Sequence, residues 1–300
     1  MEKQKLAIAL GFFDGVHLGH AALLNMVKKR AQEQKLEPAV LTFDVHPDTL
    51  VFGKNMPLIN SASEREEIIR RLFGIERTIF LHFNHTLMRM PWEEFICSLT
   101  EELSIAAIVV GHDFSFGYKG QGTAERLNNW CKEHGISCDI IPPVCLDGKI
   151  ISSTLIRSLL VEGNMEEANR MLGHPHFLSD VIHSGYHLGT KLGSPTINMG
   201  FPESVLVPKY GVYATKVILD DQSEHIAVTN IGVRPTVSDG KQVTVESHLL
   251  DFDGKLYGKQ ARVDFYHFQR EEVRFSSPEL LATQIKKDAE KTRAWFQNQL

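Results

Sequence analysis

Residues 6–34 constrain this 300-residue chain more than any other stretch. An apolar run, Leu6-Ala7-Ile8-Ala9-Leu10, is short enough for one buried strand. It leads directly into Gly11-Phe12-Phe13-Asp14-Gly15-Val16-His17-Leu18-Gly19-His20. Over residues 21–34, Leu23, Leu24 and Val27 then recur at helical spacing, with Lys28, Lys29 and Arg30 on the polar side. A glycine-bearing turn between a buried strand and a helix puts unpaired N–H groups and the positive end of a helix dipole at one point. That is a ready site for a phosphate.

Two histidines three apart, with Gly19 between them, suit such a place. Gly19 lets the backbone approach a ligand closely, and an imidazole N–H can donate to a phosphoryl oxygen. The same residues would also serve simply as caps of the helix start. The rest of the chain has to decide between these.

Alternation of strand-like and helix-like segments continues to about residue 157. Strands are expected at 39–43, 78–81, 106–110 and 137–141. Helices are expected at 63–73, with Ser63 and Glu66 as a capping box, at 91–103 and at 123–133. After the second strand, Pro47 reads as a break. This is the pattern of a doubly wound parallel sheet, whose ligands bind beyond the carboxyl ends of the strands. Three stretches besides the opening turn fall there: Phe43 to Pro47, Gly111 to Gly117, and Ser152-Ser153-Thr154 with Arg157. A Ser-Ser-Thr run is first of all an N-cap, and His46 alone is first of all a turn histidine. A helix is expected to run on through 161–164 to Leu172, with Gly173-His174-Pro175 as its stop and the domain boundary there, giving 1–174 and 175–300.

The form Gly-x-Phe-Asp-Gly-x-His-x-Gly-His resembles the nucleotidyltransferase signature, and in its length the FMN adenylyltransferase module of bacterial bifunctional riboflavin kinase/FAD synthetases. All four stretches match that module in order. The resemblance implies an α/β nucleotidyltransferase domain in which His17 and His20 contact ATP phosphates and Gly11, Phe12, Phe13, Asp14 and Gly19 shape the nucleotide turn. It also implies that Ser153, Thr154 and Arg157 hold the triphosphate, that Asp113 lies near the nucleotide, and that Phe43, His46 and Pro47 lie near the flavin. Phe12 stands where many members have Asn, and Leu155 where a basic residue is frequent.

From residue 176 strands follow one another without helices: 181–183, 212–219, 226–231, 243–250 and 261–268, then one helix from Pro278 to about residue 299. That is a small antiparallel barrel with a C-terminal helix. Gly185, Gly189 and Gly193 lead into Pro195-Thr196-Ile197-Asn198, a candidate phosphate flap followed by oxygens suited to Mg²⁺. Glu246 by itself reads as an exposed strand carboxylate. Together with Asn230-Ile231-Gly232-Val233-Arg234-Pro235-Thr236, these stretches resemble the riboflavin kinase module. The resemblance implies that Thr196 and Asn198 ligate Mg²⁺–ATP, that Glu246 is general base on the riboflavin 5′-hydroxyl, and that Asn230 and Arg234 bind flavin. Ser194, Ser179 and an extra residue near Ser184 depart from the pattern.

A net charge of −5 argues against nucleic acid as partner. No run approaches the ~18 apolar residues of a membrane span, and five apolar residues after position 5 are too few for a signal peptide. Cys97, Cys131, Cys138 and Cys145 contain no C-x-x-C pair, which suits a reduced cytoplasmic protein. The expectation is a cytoplasmic enzyme with ATP, riboflavin and FMN as substrates and FAD as product. An adenylyltransferase with a weak kinase module and a flavin-binding regulatory protein are the alternatives. Retention of His17, His20 and Glu246 argues against the last.

Overall fold

The computed structural model describes residues 4–53, 55–183, 196–235, 241–254 and 256–299. The chain forms two compact units, Met1–Ser153 and Thr154–Leu300.

In the first unit β1 (Leu6–Leu10) is buried at every position. It is followed by α1 (Leu18–Gln34), β2 (Glu37–Phe43), α2 (Pro47–Phe52), α3 (Ala62–Phe73), β3 (Arg77–Leu81), α4 (His85–Arg89), α5 (Trp92–Leu103) and β4 (Ile105–Gly111). A small hairpin of β5 (Ser115–Phe116) and β6 (Gly122–Thr123) precedes α6 (Ala124–Glu133) and β7 (Ser137–Ile141). A second hairpin, β8 (Cys145–Leu146) and β9 (Lys149–Ile150), follows. Five strands form one sheet in the order β3-β2-β1-β4-β7, every pair parallel. The expected doubly wound sheet is therefore present, and its order reverses at β1, between β2 and β4. Leu6, Ile8 and Leu10 pack with Phe95, Ile96 and Leu99 of α5 and Leu127 and Trp130 of α6. Each such side chain contributes about 1.5–3 kcal/mol by leaving water. Ala7 and Ala9 alternate with them, and α1 lies against β1 and β4. Arg30 of α1 forks onto Asp139 of β7 at 2.6 and 2.7 Å, tying the helix to the far strand.

Three local expectations are corrected. Pro47 does not break the chain; it occupies the first turn of α2, where its missing N–H costs nothing, and His46 is the N-cap. The capping box is Ser61 with Glu64, two residues earlier than Ser63 with Glu66, because Ser61 takes the extended conformation before Ala62. The helix expected to run on to Leu172 is two helices, α7 (Ser153–Glu162) and α8 (Met165–Leu172), parted at Gly163 with φ +84°.

The second unit contains most of α7, then α8, and six strands: β10 (His176–Val181), β11 (Thr196–Met199), β12 (Gly211–Leu219), β13 (Glu224–Pro235), β14 (Lys241–Leu249) and β15 (Gln260–Arg270). The sheet order is β10-β15-β12-β13-β14-β11, every pair antiparallel. Its two edges meet: the His183 N–H donates to the Asn198 carbonyl at 2.9 Å, and the Gly200 N–H to Asp180 Oδ2 at 3.0 Å. The sheet thus curls on itself, which covers both edges. Phe265 and Tyr213 fill the interior beside a chain of buried hydroxyls, Thr215–Thr229–Ser247, at 2.7 and 2.8 Å. The C-terminal helix α9 (Pro278–Gln297) is fastened by Arg270, whose guanidinium grips the buried Asp288 at 2.7–3.1 Å.

His176 opens β10 fully buried, with neither ring nitrogen hydrogen-bonded within the described protein. Burial, with His174 nearby, pushes its pKa down to about 3. The unfolded chain binds this proton near pH 6.5 and the native one does not, so stability falls as pH drops from about 6.5 toward 3, by up to ~1.4 kcal/mol per unit. The urea midpoint is accordingly lower at pH 5 than at pH 7, and His176→Phe narrows the difference. An unchanged pH dependence in that variant would exclude His176 as the cause.

Candidate functional site

The turn after β1 is held in an uncommon backbone. Phe13 (φ 57°) and Val16 (φ 40°) are left-handed, as is Gly15 (φ 78°). Non-glycine residues there cost on the order of 1–3 kcal/mol each, retained only where the surroundings enforce the shape. Here the Phe13 and Val16 side chains are buried and anchor it. Asp14, also buried, accepts from the N–H groups of Ile59 (2.8 Å) and Asn60 (3.3 Å) through Oδ1, and its own carbonyl accepts from Ser153 Oγ at 2.9 Å. The turn is therefore tied to the segment before α3 and to Ser153.

His17 is the N-cap of α1: Nδ1 accepts from the His20 N–H at 3.3 Å. In the neutral ring that bond puts the proton on Nε2, a donor suited to a phosphoryl oxygen. The His17 and His20 rings stack with centroids 3.6 Å apart and planes 14° apart. A Cβ on Gly19 would lie 2.9 Å from the His17 ring, so the glycine is what allows the imidazole to fold over the helix end. Burial, then the neighbouring His17 and Arg65, hold His20 well below its usual pKa, so it is neutral at pH 7. His20 Nδ1 and both amide atoms of Asn60 are enclosed with no hydrogen-bond partner within the described protein. Cap and phosphate donor are compatible roles.

The flavin candidates lie at the end of β2. His46 meets the Phe12 ring edge-on at 4.4 Å and caps α2 by accepting from the Asp48 N–H at 3.1 Å. Phe43 packs edge-on against Phe83. Gly11, Phe12, Phe13, Asp14, His17, Gly19, His20, Phe43, His46, Pro47 and Ser153 are thus gathered around the ends of β1 and β2. Asp113 is exposed in the loop after β4, the strand on the other side of the order reversal. Thr154 is exposed in the first turn of α7, and Arg157 lies one turn further along the helix.

In the barrel, register does the gathering. Glu246 of β14 stands opposite Asn198 of β11 on one side and Asn230 of β13 on the other. Directly paired residues share a face, so Asn198, Glu246 and Asn230 form one row, with Thr196 two residues from Asn198 on the same face and paired with His248. All are half-buried, while Ile197 and Met199 point into the core. Thr196 and Asn198 offer a hydroxyl and an amide oxygen, with no carboxylate cluster among the described residues, a set that fits Mg²⁺ arriving with ATP phosphates better than a dedicated cage. Gly185, Gly189, Gly193, Ser184 and Ser194 lie outside the described residues, and Arg234 enters only by its backbone place in β13.

Two groups escaped the sequence. Glu272 accepts from Asn230 Nδ2 at 3.0 Å, across Gly232, where a Cβ would strike its carboxylate at 2.3 Å. Arg65 sits under the turn after β1. It lies in a charged run, Glu64 to Glu67, yet its spacing to Ile68, Ile69 and Phe73 marks the buried face of α3.

An FAD synthetase family model matches residues 1–155 and a riboflavin kinase model residues 172–296. Bifunctional riboflavin kinase/FMN adenylyltransferases from Listeria monocytogenes (33% identity; 96% of this chain, 92% of that protein) and Pseudomonas fluorescens (35%; 98% and 94%) are similar along nearly their whole length. The counterpart in Escherichia coli strain K12 is 32% identical over 96% of this chain and 92% of its own. A crystal structure described as a macrolide-efflux protein from Streptococcus pneumoniae superposes with TM-score 0.86 at 29% identity, covering 97% of this chain and 95% of that one. Among the described residues no helix is long and apolar enough to cross a membrane. With both modules present in the family's order, the chain belongs to the bifunctional riboflavin kinase/FMN adenylyltransferases, enzymes of FAD biosynthesis.

Proposed function

We propose that the chain makes FAD in two ATP-dependent steps, adenylyl transfer at the turn after β1 and riboflavin phosphorylation in the barrel. At the turn after β1, an FMN phosphate oxygen attacks the α-phosphorus of ATP in line, the bond to the β-phosphate oxygen breaks, and pyrophosphate leaves. There is no proton to remove from a phosphate at neutral pH, so the protein positions reactants and stabilises charge on the phosphoryl oxygens. His17 Nε2–H, neutral His20 and the N–H groups opening α1 are the donors. Ser153, Thr154 and Arg157 hold the remaining phosphates, Asp113 faces the nucleotide, and Phe43, His46 and Pro47 face the flavin.

In the barrel, Glu246 accepts the proton of the riboflavin 5′-hydroxyl as that oxygen attacks the γ-phosphorus, and ADP leaves. Thr196 and Asn198 would hold the Mg²⁺ that accompanies ATP, which would supply neutralisation of phosphate charge, and Asn230 and Arg234 meet the flavin. Gly185, Gly189 and Gly193 belong to the phosphate flap. Small molecules are the partners, nucleic acid is not among them, and the cytoplasm is the place. The proposed domain division is 1–174 for adenylyl transfer and 175–300 for the kinase module, a division supported by family matches over residues 1–155 and 172–296.

The observation that carries the two-site reading is the cross-strand row Asn198–Glu246–Asn230, which brings a base and a metal-ligand candidate together in the second unit. Incubation with Mg²⁺–ATP and either riboflavin or FMN, followed by separation of the flavins, tests it. FAD arises from both substrates. FAD from FMN alone would leave the barrel without its assigned step.

A further inference from the structure

Arg65 is fully buried, yet it carries charge: burial pushes its pKa down only to about 10, with Asp14 and Asp44 opposing the shift. A buried cation is costly beside a well-packed apolar side chain of similar volume, so stability alone does not explain one here. Its bonds show what it holds. Nη1 donates to the Phe12 carbonyl at 2.6 Å and to Thr42 Oγ1 at 3.0 Å, and Nη2 donates to the Phe43 carbonyl at 2.9 Å. Thr42 Oγ1 donates to the same Phe12 carbonyl at 2.8 Å. The guanidinium lies over the Phe12 ring, 4.4 Å from its centroid. One side chain thereby bridges the segments at the carboxyl ends of β1 and β2.

We propose that Arg65 is a positioning residue for adenylyl transfer: its fork fixes the ends of β1 and β2 relative to each other, with Phe12 as its shelf. The inference rests on assigning the turn after β1 to that reaction. One strand end carries the phosphate donors and the other the flavin contacts, so their spacing sets the line of attack. Misplacement by about 1 Å costs roughly 10²-fold in rate. Phe12 supplies the flat apolar face on which the guanidinium stacks, so residues 12 and 65 act as a pair. The cation also helps keep His20 neutral, together with His17, while Asp14 and Asp44 face it with opposite charge.

The test uses the full chain, because riboflavin phosphorylation in the barrel reports on each preparation. Arg65→Lys retains charge, but a point-charge ammonium does not reproduce the fork, so kcat/KM for FAD formation falls about tenfold with riboflavin phosphorylation unchanged. Arg65→Met loses fork and charge, falls about a hundredfold, and moves the acid limb of the FAD-formation pH profile upward as His20 becomes easier to protonate. Wild-type FAD formation in Arg65→Lys would overturn the proposal, and that variant decides the matter if Arg65→Met fails to fold. If instead the double variant His17→Ala/His20→Ala kept FAD formation, the assignment of the turn itself would be wrong.

Discussion

FAD formation from FMN falls by at least ~10³-fold when His17 and His20 are both replaced by alanine, while FMN formation from riboflavin is unchanged. Removing one preorganised donor from a developing oxyanion costs about 10²–10³ in kcat, and here two are removed from one helix end. The two rings are stacked, and the His17 ring accepts from the His20 backbone N–H, so their losses are not additive. Losing the His17 cap lowers stability by only about 1 kcal/mol, which leaves the fold intact. The readout is separate initial rates with FMN and with riboflavin on one preparation. Loss of both activities in a folded double variant would contradict the division into two sites.

Glu246→Ala gives the reverse. FMN formation drops by about 10²–10⁴, the usual worth of a general base, and conversion of supplied FMN to FAD continues at the wild-type rate. Glu246→Gln keeps the shape of the side chain between Asn198 and Asn230 and removes its basicity, so it shows the same loss. Full activity in Glu246→Gln would assign the carboxylate a packing role.

Legibility in the sequence followed the strength of local signals. The run from Leu6 to His20 was readable because a fully apolar strand, a glycine-bearing turn and a helical repeat agree with one another. The parallel sheet followed from alternation, and the barrel from strands without helices. Short elements were not readable: α2 and α4 have no buried residue to give them a period, and β5, β6, β8 and β9 have two residues each. Strand β11 was read only as a motif, since four residues after a proline give little pattern. The break at Gly163 was hidden by apolar residues on both sides; only its positive φ reveals the turn.

Site residues divided in the same way. His17, His20 and Glu246 stand in motifs, whereas Arg65 and Glu272 act through contacts between distant segments. Arg65 meets Phe12 and Phe43, and Glu272 meets Asn230 forty-two residues away. A charged run such as Glu64 to Glu67 usually marks a solvated face. Only the distances to Ile68, Ile69 and Phe73 set residue 65 apart.

Mixing the two variants tests the central claim of two separable sites most directly. Neither His17→Ala/His20→Ala nor Glu246→Ala converts riboflavin to FAD alone, but an equimolar mixture with Mg²⁺–ATP does, as FMN released by the first is adenylylated by the second. A mixture that forms no FAD, although each variant keeps its remaining activity, would contradict the account.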